Sequence, residues 1–107
     1  MTTSTDRRPD LVRLAEAALS GLGTTADDVT ASLLRAGCTG DHCSANTCPI
    51  ARFLFRFGFR EVTVVGDWAV VRTSSSSVEY WQIVLPDAVN DFVRDFDTNH
   101  YPQLERI

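Results

Sequence analysis

The chain has 107 residues, 44% of them hydrophobic, and a formal net charge of −4, which suits one globular domain with an ordinary core and leaves no room for a second. No stretch approaches the roughly 18 consecutive apolar residues of a membrane span, and residues 1–8 lack the apolar run of a secretory leader, so a cytoplasmic protein without membrane contact is expected. The acidic balance disfavours non-specific nucleic-acid binding, and three cysteines are an odd number, too sparse for a secreted disulfide framework.

Residues 1–8 are polar and read as a flexible tail, with a single domain over 9–107. Leu11, Leu14, Ala15, Ala18, Leu19 and Leu22 recur at helical spacing until Gly21 and Gly23 intervene, which predicts an amphipathic helix from residue 10 to about residue 20. Thr25-Ala26-Asp27-Asp28 has the spacing of a capping box, and Val29, Leu33 and Leu34 give a second helix its apolar side before Gly37 stops it. Beyond a loop that holds every cysteine, Pro49 suits the first turn of a third helix capped by Cys48 or Thr47. Ile50, Ala51, Phe53, Leu54 and Phe57 carry that helix to Gly58 as a largely buried element.

The period then changes. Residues 61–65 and 68–73 are β-branched runs separated by Gly66-Asp67, where glycine in the first position predicts a type II′ hairpin. Ser74 to Ser77 is a short polar run, and residues 78–85 have the composition of a third strand. Pro86 opens a last helix in which Ala88, Val89, Phe92, Val93 and Phe96 share a side, and Tyr101-Pro102 is expected to end regular structure. The predicted fold is α+β: three N-terminal helices, a small antiparallel three-stranded sheet, and a C-terminal helix.

The element Cys48-Pro49-Ile50-Ala51-Arg52-Phe53-Leu54, the helix from Leu85-Pro86 to Phe96-Asp97, and the closing Tyr101-Pro102-Gln103-Leu104 resemble short uncharacterised actinobacterial and actinophage proteins. That resemblance implies an actinobacterial or phage cytoplasm. It brings no activity with it, and Cys38 and Cys43 lie outside the elements that carry it.

Chemistry concentrates between residues 38 and 48. Cys38, His42, Cys43 and Cys48 are four donors, enough in number for a tetrahedral zinc ion. The Cys-x4-Cys-x4-Cys spacing departs from the zinc knuckle, whose paired cysteines stand two to four residues apart, and His42 adjoins Cys43, so free thiols are the expected state and zinc the alternative. Cys48 is also the candidate reactive thiol, because a helix N-terminus favours a thiolate; against that reading stands a small buried cap.

Arg52, Arg56 and Arg60 recur every four residues, as do Asp87, Asp91 and Asp95 on the last helix. The arginines suggest an anion-facing edge, and three helices before a hairpin suggest a winged helix. The intervening phenylalanines leave little polar surface for reading DNA, so solvated faces or arginine–aspartate pairing are expected instead. Phe53, Phe55, Phe57, Phe59, Trp68, Tyr80, Trp81 and Phe92 are many rings for a small domain. Phe55, Phe59 and Trp81, with the three arginines, are therefore candidates for a binding surface that meets a protein partner or a second copy. The sequence thus points to a non-catalytic binding or regulatory module without a cofactor. The alternatives are a zinc-binding protein, a thiol-based redox enzyme or sensor at Cys48, and a winged-helix-like DNA binder.

Overall fold

A computed structural model describes residues 9–41, 44–73 and 80–105; the expected tail, the serine run and the start of the expected third strand lie outside them. Four α-helices and a three-stranded antiparallel sheet are present among the described residues, in the order α1 (Asp10–Ser20), α2 (Ala26–Ala36), α3 (Pro49–Phe55), β1 (Glu61–Val65), β2 (Trp68–Arg72), β3 (Trp81–Val84) and α4 (Asp87–Asp97). Among those residues no helix is long and apolar enough to cross a membrane.

The helix α1 has its predicted extent but a rotated face. Val12, Ala15 and Leu19 are buried, whereas Leu14 is 60% exposed, because only one stripe of a leucine-rich helix can meet the core. The next helix starts as its capping box requires: the Thr25 hydroxyl accepts from the Asp28 amide at 3.1 Å. Its end is a Schellman motif, with Gly37 at φ +72 and the amides of Gly37 and Cys38 donating to the carbonyls of Leu34 and Leu33. Glycine adopts that left-handed conformation without the strain a Cβ brings, and the motif fixes where Cys38 leaves the helix.

Pro49 occupies the first turn of α3 and Cys48 caps it. The helix closes at Phe55, and the expected continuation to Gly58 is a turn. Pro49, Ile50, Ala51 and Leu54 are buried.

The sheet is a meander in the order β1-β2-β3. Gly66 has φ +58 and Asp67 has no positive φ, the pattern a type II′ turn requires. Val62, Val64, Ala69, Val71 and Ile83 form the inner face and join one core with the buried stripes of all four helices. Within that core α2 packs on α4, α3 on β1 and α1 beside β3. Phe92 and Phe96 stack at 5.7 Å, and each fully buried ring contributes about 1.5–3 kcal/mol relative to exposure.

Regular structure does not end at Tyr101-Pro102. Pro102–Leu104 forms a 3-10 turn that buries Leu104 completely, and the Leu104 carbonyl accepts from the Gly40 amide at 2.9 Å beside a parallel bridge between Gly40 and Glu105. A single leucine between polar residues carries no periodicity, so the sequence does not announce this contact.

Candidate functional site

The described residues between Cys38 and Cys48 are held by several hydrogen bonds. The Asp41 amide donates to the Thr47 carbonyl at 3.0 Å, and the Thr47 hydroxyl donates to the Asp41 carboxylate at 2.9 Å. Ser44 accepts from the Thr47 amide at 3.2 Å, and its hydroxyl also hydrogen-bonds that of Thr47. The Ala45 carbonyl accepts from the Val64 amide at 2.6 Å, so the loop covers the outer edge of β1. Gly40 lies flush against the same turn. A Cβ placed there would stand 2.5 Å from the Pro49 nitrogen and 2.6 Å from the Cys48 carbonyl carbon, where backbone cannot yield cheaply.

His42 and Cys43 lie outside the described residues. Cys38 and Cys48 are free, buried thiols that face two separate cavities. The cavity at Cys48, about 500 Å³, runs between the loop, the β1–β2 hairpin and α4, and its wall includes Asp67, Asn90, Arg94 and Asp97. The cleft at Cys38, about 430 Å³, is walled by Asn46, Thr47, Arg52, Phe55 and Arg56. Among the described residues no three of His, Cys, Asp and Glu are grouped closely enough to hold a metal ion.

At Cys48 the sulfur accepts from the Ala51 amide at 3.4 Å. Burial pushes this thiol up from its ordinary range, against the lowering effect of the Ala51 and Ile50 amides, and Asp97 adds to the rise. Desolvation therefore outweighs the helix terminus. Burial also pushes Cys38 up, while the guanidinium charges of Arg56 and Arg52 act in the opposite direction. His100, the other imidazole of the sequence, is engaged at the end of α4, hydrogen-bonding the Thr98 hydroxyl at 2.8 Å.

The arginine series divides. Arg52 and Arg56 share the Cys38 cleft with Phe55, which is 56% exposed. Arg60 stands apart, beyond the helix, where its amide donates to the Arg72 carbonyl at 2.8 Å and extends the β1–β2 ladder. On α4, Asp91 and Asp95 pair with Arg94 of their own helix, Asp91 at 2.9 Å and Asp95 at 4.0 Å. Arg72 pairs across strands with Glu61 at 3.0 Å.

Two residues expected at an exposed surface do not belong to one. Phe59 is 2% exposed, because the turn after α3 points its ring back into the core. Trp81 sits opposite Val71 on the inner side of β3 and is half-buried against the core. Phe53 and Phe57, one turn apart, meet edge to face at 5.6 Å and cover each other, which leaves Phe55 as the outward ring of this segment.

The outer face of the sheet is graded. At the hairpin end Val65, Trp68 and Val84 lie side by side across three strands and are 48%, 42% and 69% exposed. The middle row is Thr63, Val70 and Gln82. At the far end Glu61 bonds Arg72 and the Tyr80 hydroxyl, with the Arg72 guanidinium 5.7 Å from the Tyr80 ring centre. The sequence counts Trp68 among the surplus rings but singles out neither Val65 nor Val84, since a valine in a strand declares no side; the hairpin register is the signal that places all three in one row.

Comparison of the chain with protein-family models, with curated proteins and with solved structures gives no match in any of the three.

Proposed function

We propose that this protein acts by binding another protein, without catalysis, through the open face of its sheet. The observation that carries this reading is the exposed apolar row Val65, Trp68 and Val84 at the hairpin end. The outer face of an antiparallel sheet that meets only water alternates to polar residues, and here it does so at the Glu61–Arg72 end but not at the hairpin. Tryptophan is among the residue types most enriched in binding hot spots, the two valines beside Trp68 extend its apolar surface, and one row is smaller than the core of an obligate dimer, which favours a separate, transient partner over a second copy. Burial pushes the Cys38 and Cys48 thiols toward the protonated form, which counts against a thiolate nucleophile at either position.

The test places a photo-crosslinking amino acid at Val84 in cells that make the protein. A discrete adduct with one other protein is expected, lost when Trp68→Glu is added and kept when Glu16→Gln, on α1, is added instead. A diffuse smear that Trp68→Glu leaves unchanged would sink the proposal. An adduct made only of two copies of this chain, with a dimer in light scattering that Trp68→Glu dissociates, would replace the partner by self-association.

A further inference from the structure

The geometry points to the cleft between α3 and the cysteine loop as a receptor for an oxyanion, a phosphate or carboxylate group carried on an apolar body. It stands apart from the sheet-face reading, because it uses none of the same residues and survives if that reading fails.

Arg52 on α3 and Arg56, the residue that caps its C-terminus four positions on, form one wall of the 430 Å³ cleft, within the size range of small-ligand sites. Like charges at this spacing repel by a few tenths of a kcal/mol on a helix, a cost that an anion between them removes. The chain has carboxylates to spare, fourteen against ten basic residues. It spends them elsewhere: Arg72 has Glu61, and Arg94 has Asp91 and Asp95. Among the described residues neither Arg52 nor Arg56 has a carboxylate partner. Both line the cleft, Arg52 half-buried and Arg56 exposed, close enough for their charge to act on the buried Cys38 thiol.

The opposite wall supplies the Asn46 side chain, an uncharged donor that adds a hydrogen bond without adding a like charge. Among the described residues no acidic side chain lines the cleft. Two planar guanidiniums and an amide favour a group with several acceptor oxygens over a halide, because each fork is completed by two parallel hydrogen bonds. Phe55 completes the site. Its ring stands at the rim, 56% exposed, and gives the uncharged part of a ligand an apolar surface that free inorganic phosphate cannot use. The described residues of the far wall are held by hydrogen bonds at Gly40, Asp41, Ala45 and Thr47, which leaves little ordering of those positions for a ligand to impose.

The experiment titrates the folded protein with phenyl phosphate, benzoate, inorganic phosphate and chloride at constant ionic strength, following the Arg Nε–H and Asn side-chain resonances by NMR. Saturable shifts at Arg52, Arg56 and Asn46 are expected with phenyl phosphate or benzoate, with at least about tenfold weaker binding of inorganic phosphate and none of chloride. Arg52→Gln and Arg56→Gln should each weaken binding about tenfold or more, the loss expected for a hydrogen bond to a charged group. Arg60→Gln, outside the cleft, should leave it unchanged; far-ultraviolet dichroism confirms that each variant is folded. Chloride shifting the same resonances equally, binding that survives Arg52→Gln and Arg56→Gln, or equal loss in Arg60→Gln would overturn the assignment. Preference for phenyl phosphate over benzoate makes the group a phosphate, and the reverse makes it a carboxylate.

Discussion

Replacing Gly40 by alanine adds one methyl group where two backbone segments lie in close contact. The new Cβ would meet Pro49 nitrogen at 2.5 Å and Cys48 carbonyl carbon at 2.6 Å, so the strands of chain on either side must separate by about half an ångström or more before the contact is tolerable. A flexible side chain could swing away, but here the obstacle is the backbone that starts α3. Overpacking alone costs about 1–3 kcal/mol. The displacement also stretches the Gly40–Leu104 and Asp41–Thr47 hydrogen bonds, each worth about 0.5–1.5 kcal/mol net. A total of about 3 kcal/mol follows, a large share of the roughly 5–15 kcal/mol that holds a domain together. With a urea slope of about 1–3 kcal/mol per molar, the unfolding midpoint should fall by about 1–3 M. Gly21→Ala is the control, since that residue has φ −81 and a Cβ there finds only ordinary contacts at 3.5 Å; it should be neutral or stabilising by about 0.4–1 kcal/mol. Equal midpoints for Gly40→Ala and the parent protein would refute the steric argument.

Thr25→Ala removes the acceptor of the Asp28 amide and should cost about 1 kcal/mol by urea denaturation, with Thr25→Ser close to the parent. The thiols set a pH dependence: Cys38 and Cys48 hold their protons above the ordinary 9.0 in the fold, so the unfolded chain releases protons first and stability, intact below about pH 9, falls as pH rises further. Denaturation midpoints from pH 8 to 10.5 check this, and a slope no shallower in the Cys38→Ala, Cys48→Ala protein would discount the thiols as its source. Native Cys48, in a chain with Cys38 and Cys43 replaced, should alkylate far more slowly at pH 7.5 than the urea-unfolded chain; rapid labelling would make it a reactive thiol after all. Because the two described thiols face different cavities, the helical dichroism should persist in a chelator, and its loss together with one equivalent of zinc would restore the metal reading.

Local signals in the sequence were strong where one residue type has one structural use. Gly37 after an apolar stripe, Thr25 with Asp28 three residues on, Pro49 after a potential cap, and Gly66 between β-branched runs each mark a backbone geometry that few other residues adopt, and α2, α3 and the hairpin start or stop there. Faces were less legible. Leu14 and Val84 are as apolar as their buried neighbours yet point outward, because the side that meets the core depends on what packs there. The candidate site was legible only as a neighbourhood. Its wall depends on Gly40 fitting against Thr47 and on Ala45 pairing with Val64, and backbone pairing leaves no signature in side-chain type. Arg60 shows the same limit: a four-residue period groups it with Arg52 and Arg56, but beyond the helix its backbone joins the β1–β2 ladder and it lies outside their cleft.

The strap between Gly40 and Leu104 ties the order of folding to the readiness of the cleft. Its two ends are separated by more than half of the sequence, so a long loop containing α3, the whole sheet and α4 must close before the bond can form, and that entropy is lost before the contact returns anything. A growing chain that has made α2 and the arginine helix therefore has the right residues but not yet the fixed wall. The cleft matures late, when the last turn docks. By linkage, a ligand bound in the cleft would stabilise the strapped form over forms in which the strap is open.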